Sequence, residues 1–460
     1  MEEIIIWGAG RAAVKKYEWT SFAGYQVIFF VDNDVEKWGK IIQGIPVCSP
    51  QLLKEYQRTI MIPDLYKEEI EEQLNEMSYQ GRILGFEQLR KEAVFSKKIS
   101  IDLSGVRIGT EINFVFDSYF MGLNWGGVES WSCMVANQLL ELGAETRMIC
   151  GPNNKFDECT KNCLHFSNVD ELETIKEMTV KIAGFLPCIF ITHGSIALYA
   201  AQIVKSFFPD QIKLVAVAHG DEINTYEKLQ FWSDRLDKII CISHKIWAEF
   251  QDRYSVTKDI LLCRPNPIHI PSQAGRRVHH DGVLRIGFAA RLRKEQKRVH
   301  LLPEIIEACL RKNRNVEFYI AGEGECLELL LTYVSDHHLE DKVHILGFIP
   351  PTEMADFWAR QDIYLNISDF EGMSLAMLEA MACGAVPVVT DVSGVSDLIE
   401  NGKNGFVVPV DSWLETVDKI ENLGRDREML QRASDYNMNL IREKCDIEDY
   451  AKWLIETFRS

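Results

Sequence analysis

Apolar residues along this chain gather into short runs of strand length, separated by stretches with helical spacing. The alternation repeats from one end to the other. Ile4-Ile5-Ile6-Trp7 and Val27 to Val31 are the first two runs. A second series follows at Ile112 to Phe116, Thr146 to Cys150, Leu214 to Ala218 and Lys238 to Ser243. Within it Val128 to Leu142 reads as an amphipathic helix, and Ser243 is placed to cap another. A third series comprises Leu284 to Ala289, Val316 to Ile320, Val343 to Phe348, Ile363 to Ile367 and Val386 to Thr390. Between its last two strands Ser374 to Cys383 is rich in Leu, Met and Ala, and ends at Gly384 in the C′ position. A final helix is expected near Ile447 to Phe458. Strands alternating with helices predict an α/β protein with parallel sheets. The charged stretch Arg90 to Lys98 and the aperiodic, Pro-rich stretch Pro265 to Asp281 separate the three series. At 460 residues, and about 150 per domain, the length agrees with three units.

Charge narrows the class. A net charge of −18 argues against a nucleic-acid binder, which needs a basic footprint. No 18-residue apolar run occurs, and the opening MEEIIIWGAG is acidic and passes into a strand, unlike a secretion signal, so a cytoplasmic protein is expected. Arg276-Arg277 leave room for peripheral contact with the inner face of the membrane, but are too few for an anchor. The 12 cysteines are scattered without pairing pattern, as reduced thiols are. Cys159, Cys163 and His165 have no fourth partner at zinc-site spacing, so no metal is expected.

Five places carry candidate chemistry. Gly8-Ala9-Gly10-Arg11-Ala12-Ala13 follows the first strand, and Asp32 lies 22 residues beyond Gly10. That spacing makes Gly8, Gly10 and Asp32 candidates for an accessory nucleotide site, though no second motif supports a redox reaction. Gly126-Gly127 stand at a strand-to-helix turn, where a phosphate can approach the backbone. His219 ends a strand, with His193 a second, weaker candidate. Five of the eight residues from Arg291 to Arg298 are basic, at the carboxyl end of a strand where a diphosphate would bind. Last come Glu371, ahead of the Ser374 helix, and Glu379 within it, the only charge from Met373 through Val386. A carboxylate there needs either a Lys or Arg partner or a ligand. The backbone N–H groups of Met373, Ser374 and Leu375 would face an anion.

The segment EGMSLAMLEAMACGAVPVV resembles the E-x7-E signature of the retaining glycosyltransferases of family 4 (group 1). The resemblance extends to G-G-x-E at Gly126 to Glu129, to Arg291 and Lys297, and to Gly394–Asp397 and Asn401–Phe406, with Asp397 where Glu is commoner. It implies a GT-B fold, two Rossmann-like domains facing across a cleft, preceded here by a smaller Rossmann-like domain. By this resemblance Glu371 and His219 contact the donor sugar, and Arg291 and Lys297 its diphosphate. Glu379 would take the ribose hydroxyls, and Gly126 and Gly127 the distal phosphate or the acceptor. Gly347 and Phe348 would bracket the base, while Gly372, Met373, Ser374 and Leu375 complete the donor site. The family needs no metal, and Asp32-Asn33-Asp34 lies outside the catalytic part.

The VDNDVEKWGKIIQGIPVCSPQLL stretch is similar to the front domain of some sugar acyltransferases and polysaccharide-biosynthesis proteins. The expected organisation is residues 1–98 as an accessory domain, 108–270 on the acceptor side, 281–440 on the donor side, and 441–460 a helix crossing back. The implied activity is retaining transfer from a nucleotide diphosphate sugar, without cofactor, to a glycan, glycolipid or polymer hydroxyl in surface polysaccharide or glycoconjugate synthesis. A sugar phosphorylase or nucleotide-sugar epimerase of the same fold, and a non-catalytic partner subunit, are the rival readings. Oligomeric state is not legible.

Overall fold

Strands buried on both faces must be apolar along their whole length, and the three series of apolar runs form three separate, largely parallel sheets. The structure, a computed structural model, describes residues 2–95, 101–118, 127–151, 162–166, 170–271 and 282–459. Gly126, Cys159 and Arg276-Arg277 lie outside the described residues.

The N-terminal unit contains β1 (Glu2–Trp7), α1 (Ala13–Phe22), β2 (Tyr25–Val31), β3 (Ile41–Ile42), β4 (Ile45–Cys48), β5 (Thr59–Ile62), α2 (Lys67–Glu76), β6 (Ile83–Gly85) and α3 (Phe86–Phe95). Its sheet runs in the order β3-β4-β2-β1-β5-β6, with only the β3 to β4 pair antiparallel.

The middle unit holds β7 (Asn113–Ser118), α4 (Gly127–Glu141), β8 (Thr146–Cys150), β9 (Cys163–His165), α5 (Glu171–Ala183), β10 (Cys188–Thr192), α6 (Ala197–Phe207), β11 (Ile212–Ala218), α7 (Ile223–Trp232), β12 (Lys238–Cys241), α8 (His244–Asp252) and β13 (Leu261–Cys263). They form a parallel sheet ordered β13-β12-β11-β10-β7-β8-β9.

The last unit is built from β14 (Leu284–Ala289), α9 (Leu302–Lys312), β15 (Val316–Ala321), α10 (Leu327–Asp336), β16 (Val343–Gly347), α11 (Met354–Trp358), β17 (Ile363–Asn366), α12 (Leu375–Ala382), β18 (Val386–Thr390), β19 (Phe406–Val408), α13 (Trp413–Arg425), α14 (Arg427–Lys444) and α15 (Ile447–Arg459). Its parallel sheet runs β16-β15-β14-β17-β18-β19.

α15 leaves this last unit. Its buried face, Ile447, Tyr450, Ala451, Leu454 and Phe458, follows the i, i+3, i+4 spacing and packs onto α4 of the middle unit. Ile268 N–H donates to the Cys445 carbonyl at 2.7 Å, Ile447 N–H donates to Ile268 at 3.1 Å, and Lys213 Nζ reaches the Phe458 carbonyl at 3.0 Å.

The stretch read as a charged separator contains a docking element instead. Arg90 and Lys91 lie in α3, and Arg90 is buried. Its guanidinium pairs with Glu87 at 2.7 Å and with Glu171 on α5, and stacks over Trp19 and Tyr199. Trp19 Nε1 donates to Glu171 at 2.9 Å, and Lys91 Nζ reaches the Phe231 carbonyl and Asp234. Charge pattern alone hid this, because a buried Arg differs from a surface one only in the company it keeps.

Candidate functional site between the middle and last units

Parallel strands carry their loops to the carboxyl edge, and the carboxyl edges of the second and third sheets meet. Gly372, in the loop after β17, lies so close to the end of β11 that an added Cβ would fall 1.8 Å from the His219 carbonyl oxygen. Only glycine allows that approach. Gly394 supports it from behind, with φ +79° and room for no Cβ against the Gly372 carbonyl. Asn266 Nδ2 donates to the Met373 carbonyl at 3.1 Å, and the hydroxyls of Ser243 and Ser393 meet at 2.9 Å in the buried seam. Gly127 opens α4, and its Cβ position faces Leu375 of α12 at 3.9 Å. Two helix N-termini therefore look into one cleft.

Ser374 caps α12, accepting from Met377 N–H at 3.4 Å, while its Oγ is 3.1 Å from the Tyr364 hydroxyl. Met373 is buried, and Leu375 begins the helix. Just before it, Glu371 accepts from Ser368 Oγ at 2.8 Å and pairs with Lys297. Lys297 is thus joined to the Glu371 carboxylate in this state. Gln296 carries the same loop, accepting from Asp369 N–H at 2.9 Å.

The basic run does not act as one patch. Arg291 and Arg293 are exposed at the cleft side of β14, Lys294 N–H donates to Glu325, and Arg298 turns away to the Val410 carbonyl and Asp411. Arg298 adopts φ +50°, which redirects the chain into the turn before α9. Gly322 and Gly324 hold the run in place, since a Cβ on Gly322 would meet the Ala290 carbonyl at 1.9 Å. Gly347, with φ +67°, ends β16 and accepts from Gly322 N–H at 2.7 Å, and Phe348 beyond it is exposed.

Glu379 sits on α12, surrounded by protein yet not wholly closed from solvent. Burial pushes its carboxyl up to about 7. No ion pair to it occurs among the described residues, and the Trp358 side chain, in reach of a hydrogen bond, works against the upward push.

At the end of β11, His219 Nε2 lies 3.1 Å from His193 Nδ1, and His193 Nε2 lies 3.0 Å from Ser132 Oγ. Trp131 stands edge-on to both rings, with centroids 5.5 and 5.1 Å away, and also meets Tyr450 of α15. Burial drives His193 down to about 4, against the pull of Asp117, and drives His219 well below its ordinary value. Both rings are neutral at pH 7. The Asp117 carboxylate accepts from Thr192 Oγ1 at 2.7 Å, Ser195 N–H at 3.1 Å and the Ser195 hydroxyl, fixing the loop that carries His193. Trp131 and Ser132 gave no sequence signal, because they reach the histidines across helix α4 rather than along the chain.

Gly8, Gly10 and Asp32 meet at the carboxyl edge of the first sheet. The Asp32 carboxylate accepts from Ala9 N–H at 2.7 Å and Asp34 N–H at 2.9 Å, and pairs with Lys37. Burial opposes ionisation, but these donors hold Asp32 below its ordinary value. Lys16 Nζ donates to the Trp7 carbonyl at 3.0 Å and packs beneath Gly8, which has φ +95°. A Cβ at Gly10 would meet nothing within 4 Å. Among these residues, contacts inside the unit account for Gly8 and Asp32.

Residue by residue, the cleft unites Glu371, Lys297, Gly372, Met373, Ser374, Leu375, Gly127 and His219; the pair Gly347 and Phe348 lies at the end of β16, two strands from β14 and three from β17, and Gly8, Gly10 and Asp32 belong to a different unit.

Parts of the chain resemble known proteins. Residues 275–439 match the family described as glycosyl transferases group 1, and residues 1–84 match one described as C2185-like, N-terminal. The chain is 22% identical over 325 residues to N-acetyl-alpha-D-glucosaminyl L-malate synthase of Bacillus anthracis, covering 64% of this chain and 84% of that protein. It is 25% identical over 283 residues to the GPI3 subunit of phosphatidylinositol N-acetylglucosaminyltransferase of Saccharomyces cerevisiae, covering 58% of this chain and 62% of the yeast protein. Among solved structures, HepE of Anabaena in complex with UDP and glucose superposes with a TM-score of 0.63 at 16% identity, over 76% of this chain and 99% of that one. The fold is therefore GT-B with an added N-terminal α/β domain, and its last domain carries the group 1 glycosyl transferase match.

Proposed function

We propose that this protein transfers a sugar from a nucleoside diphosphate sugar to an acceptor hydroxyl with retention of configuration. The observation that carries the reading is the meeting, in one cleft, of Glu371 with Lys297, the α12 N-terminus, Gly127 and His219, with Glu379 on the same helix and without an ion pair among the described residues. The names of the relatives support sugar transfer, and the UDP and glucose bound by HepE support a UDP-linked donor as the first to test.

In this reading Glu379 accepts two ribose hydroxyls, a role that suits a lone carboxylate with spare acceptor sites. Gly347 and Phe348 frame the base. Arg291, Lys297 and the N–H groups at the start of α12 meet the diphosphate, where charge grows as it departs. Lys297 would exchange its bond to Glu371 for a phosphate oxygen, freeing Glu371 to accept from the sugar hydroxyls.

The bond from the anomeric carbon to the phosphate oxygen breaks with its electron pair going to the diphosphate. The acceptor oxygen then forms the new bond on the same face, and its proton passes to the departing phosphate oxygen. Glu371 is engaged by Lys297 and Ser368, which favours a hydrogen-bonding role over that of covalent nucleophile. The charge stabilisation is assigned to side chains and backbone, without a catalytic metal or cofactor. The acceptor is a glycan, glycolipid or polymer hydroxyl of the cell surface, and catalysis takes place in the cytoplasm.

A thermal-shift screen of the full chain against UDP, GDP, ADP and TDP, with nicotinamide nucleotides alongside, tests the reading. One nucleoside diphosphate raises the melting temperature, and Glu379→Ala or Lys297→Ala removes the rise. Stabilisation by a nicotinamide nucleotide alone would overturn it and move attention to Gly8, Gly10 and Asp32.

A further inference from the structure

We propose that His244, Cys263 and Asp397 form a zinc-binding clasp that joins the two cleft domains behind the donor site. One ligand atom from each, an imidazole nitrogen, the thiol sulfur and a carboxylate oxygen, lies within 4.8 Å of the others. No other trio of His, Cys, Asp and Glu side chains converges this way among the described residues.

The geometry is close to that of a metal site. Four ligands at about 2.0–2.3 Å from a tetrahedral zinc stand about 3.3–3.7 Å from one another. His244 Nδ1 and Asp397 Oδ2 are 3.3 Å apart. Cys263 needs only a small approach to complete three corners, leaving the fourth to water.

The fold brings the three together for a simple reason. β12 and β13 are adjacent parallel strands, with Cys241 in register with Cys263, so His244 at the start of α8 and Cys263 at the strand end share one sheet edge. Asp397 comes from the last domain, three residues beyond Gly394, and is held by His244 N–H at 2.7 Å. The His244 side chain is 79% exposed and that of Asp397 10%, so one ligand is fixed and the other can swing to close on an ion from solvent. A set of one thiolate, one imidazole and one carboxylate suits Zn²⁺, whereas Mg²⁺ and Ca²⁺ take oxygen alone.

The clasp spans the seam formed by Ser243 with Ser393 and by Gly372 with the His219 carbonyl. An ion bound there holds the cleft in its closed form and so opposes the opening that product release requires. Binding displaces the Cys263 proton to solvent, and no redox change takes place.

Co²⁺ provides the test, titrated into the chelator-treated full chain. The expected result is a saturable thiolate-to-cobalt charge-transfer band, bleached by Zn²⁺. Cys263→Ser abolishes the band, and the exposed His244→Ala weakens Zn²⁺ affinity by roughly tenfold or more while leaving the melting temperature of the metal-free protein unchanged. Zn²⁺ also slows hydrogen exchange at the His244 and Gly394 amides. Absence of a saturable band, or a band that survives Cys263→Ser, overturns the site. Unchanged exchange at saturating Zn²⁺ overturns the clasp.

Discussion

Burial lifts Glu379 from an ordinary 4.5 to about 7, which makes its protonation matter near physiological pH. A carboxyl whose pKa is raised by folding favours the folded state most when protonated. That contribution is complete below about 4.5 and is lost as pH rises through about 7. Binding of ribose hydroxyls has the opposite sign, since only the carboxylate offers all its lone pairs as acceptors. Affinity for UDP should therefore fall by up to about tenfold for each pH unit below about 7. Glu379→Gln should bind more weakly at pH 8 and show no such step. Calorimetric titration of both forms across this range checks it, and a pH-independent affinity for the wild-type chain would count against the ribose role. A second residue-scale expectation concerns Ser132. Because His193 and His219 are neutral, each ring carries one proton, and the Ser132 hydroxyl, able to donate or to accept, holds the His193 ring in place and through it that of His219. Ser132→Ala removes one hydrogen bond from that row. Turnover should drop about tenfold, with the donor KM nearly unchanged. Steady-state kinetics separate this from a folding defect.

Single elements show why much of the fold could be read in the sequence and much of the site could not. β17 and β18 are buried along their whole length and β1 and β14 along most of theirs, so their apolar runs stand out, and α12 is marked by Gly384 after its last turn. β9, three residues long and only partly buried, has no such pattern and escaped notice. Glu371 and Glu379 were legible because the segment around them is dense with recognisable spacing. Their environment was not, since the pairing of Lys297 with Glu371 links residues 74 apart and the Ser132 row spans three elements. The β17 to α12 loop also carries a sharp prediction. Gly372→Ala places a methyl group against the His219 carbonyl and separates the two domains rather than disrupting either core. Turnover should fall by more than about a hundredfold, at a loss of only about 1 kcal/mol in stability. Gly322→Ala makes the contrasting control. Its φ of +128° and its contact with the Ala290 carbonyl lie inside one domain, so it should cost about 3 kcal/mol or more in stability. Chemical denaturation and activity assays on the two variants distinguish a domain seam from a domain core.

At the scale of the whole molecule, the N-terminal domain is held to the middle domain by a compact polar and aromatic joint. Arg90 is its centre, buried between Glu87 and Glu171 and flanked by the rings of Trp19 and Tyr199. Tyr199 donates to Glu87, and Lys15 pairs with Glu171. From there the joint continues inward. Burial pushes the Lys228 ammonium below its ordinary range, against the attraction of Glu87 and Asp117, and Asp117 in turn anchors the loop of His193. A displaced N-terminal domain would thus be felt at the cleft as a change in the field around Lys228. Removing one partner of a buried ion pair leaves the other charge uncompensated, at a cost of about 3–5 kcal/mol. Arg90→Ala should therefore do more than lower the melting temperature. It leaves Glu171 with only Lys15 as a cation, loosens the joint, and lets residues 2–95 melt apart from the rest. Calorimetry should then resolve a second, earlier transition where the wild-type chain has one, and limited proteolysis should release the N-terminal domain at lower protease concentration. Glu171→Gln, which keeps the acceptor for Trp19 Nε1 but removes the charge, should fall between the two. A single, equally cooperative transition in Arg90→Ala would mean that the apolar contacts of Trp19 and Tyr199 alone hold the N-terminal domain in place.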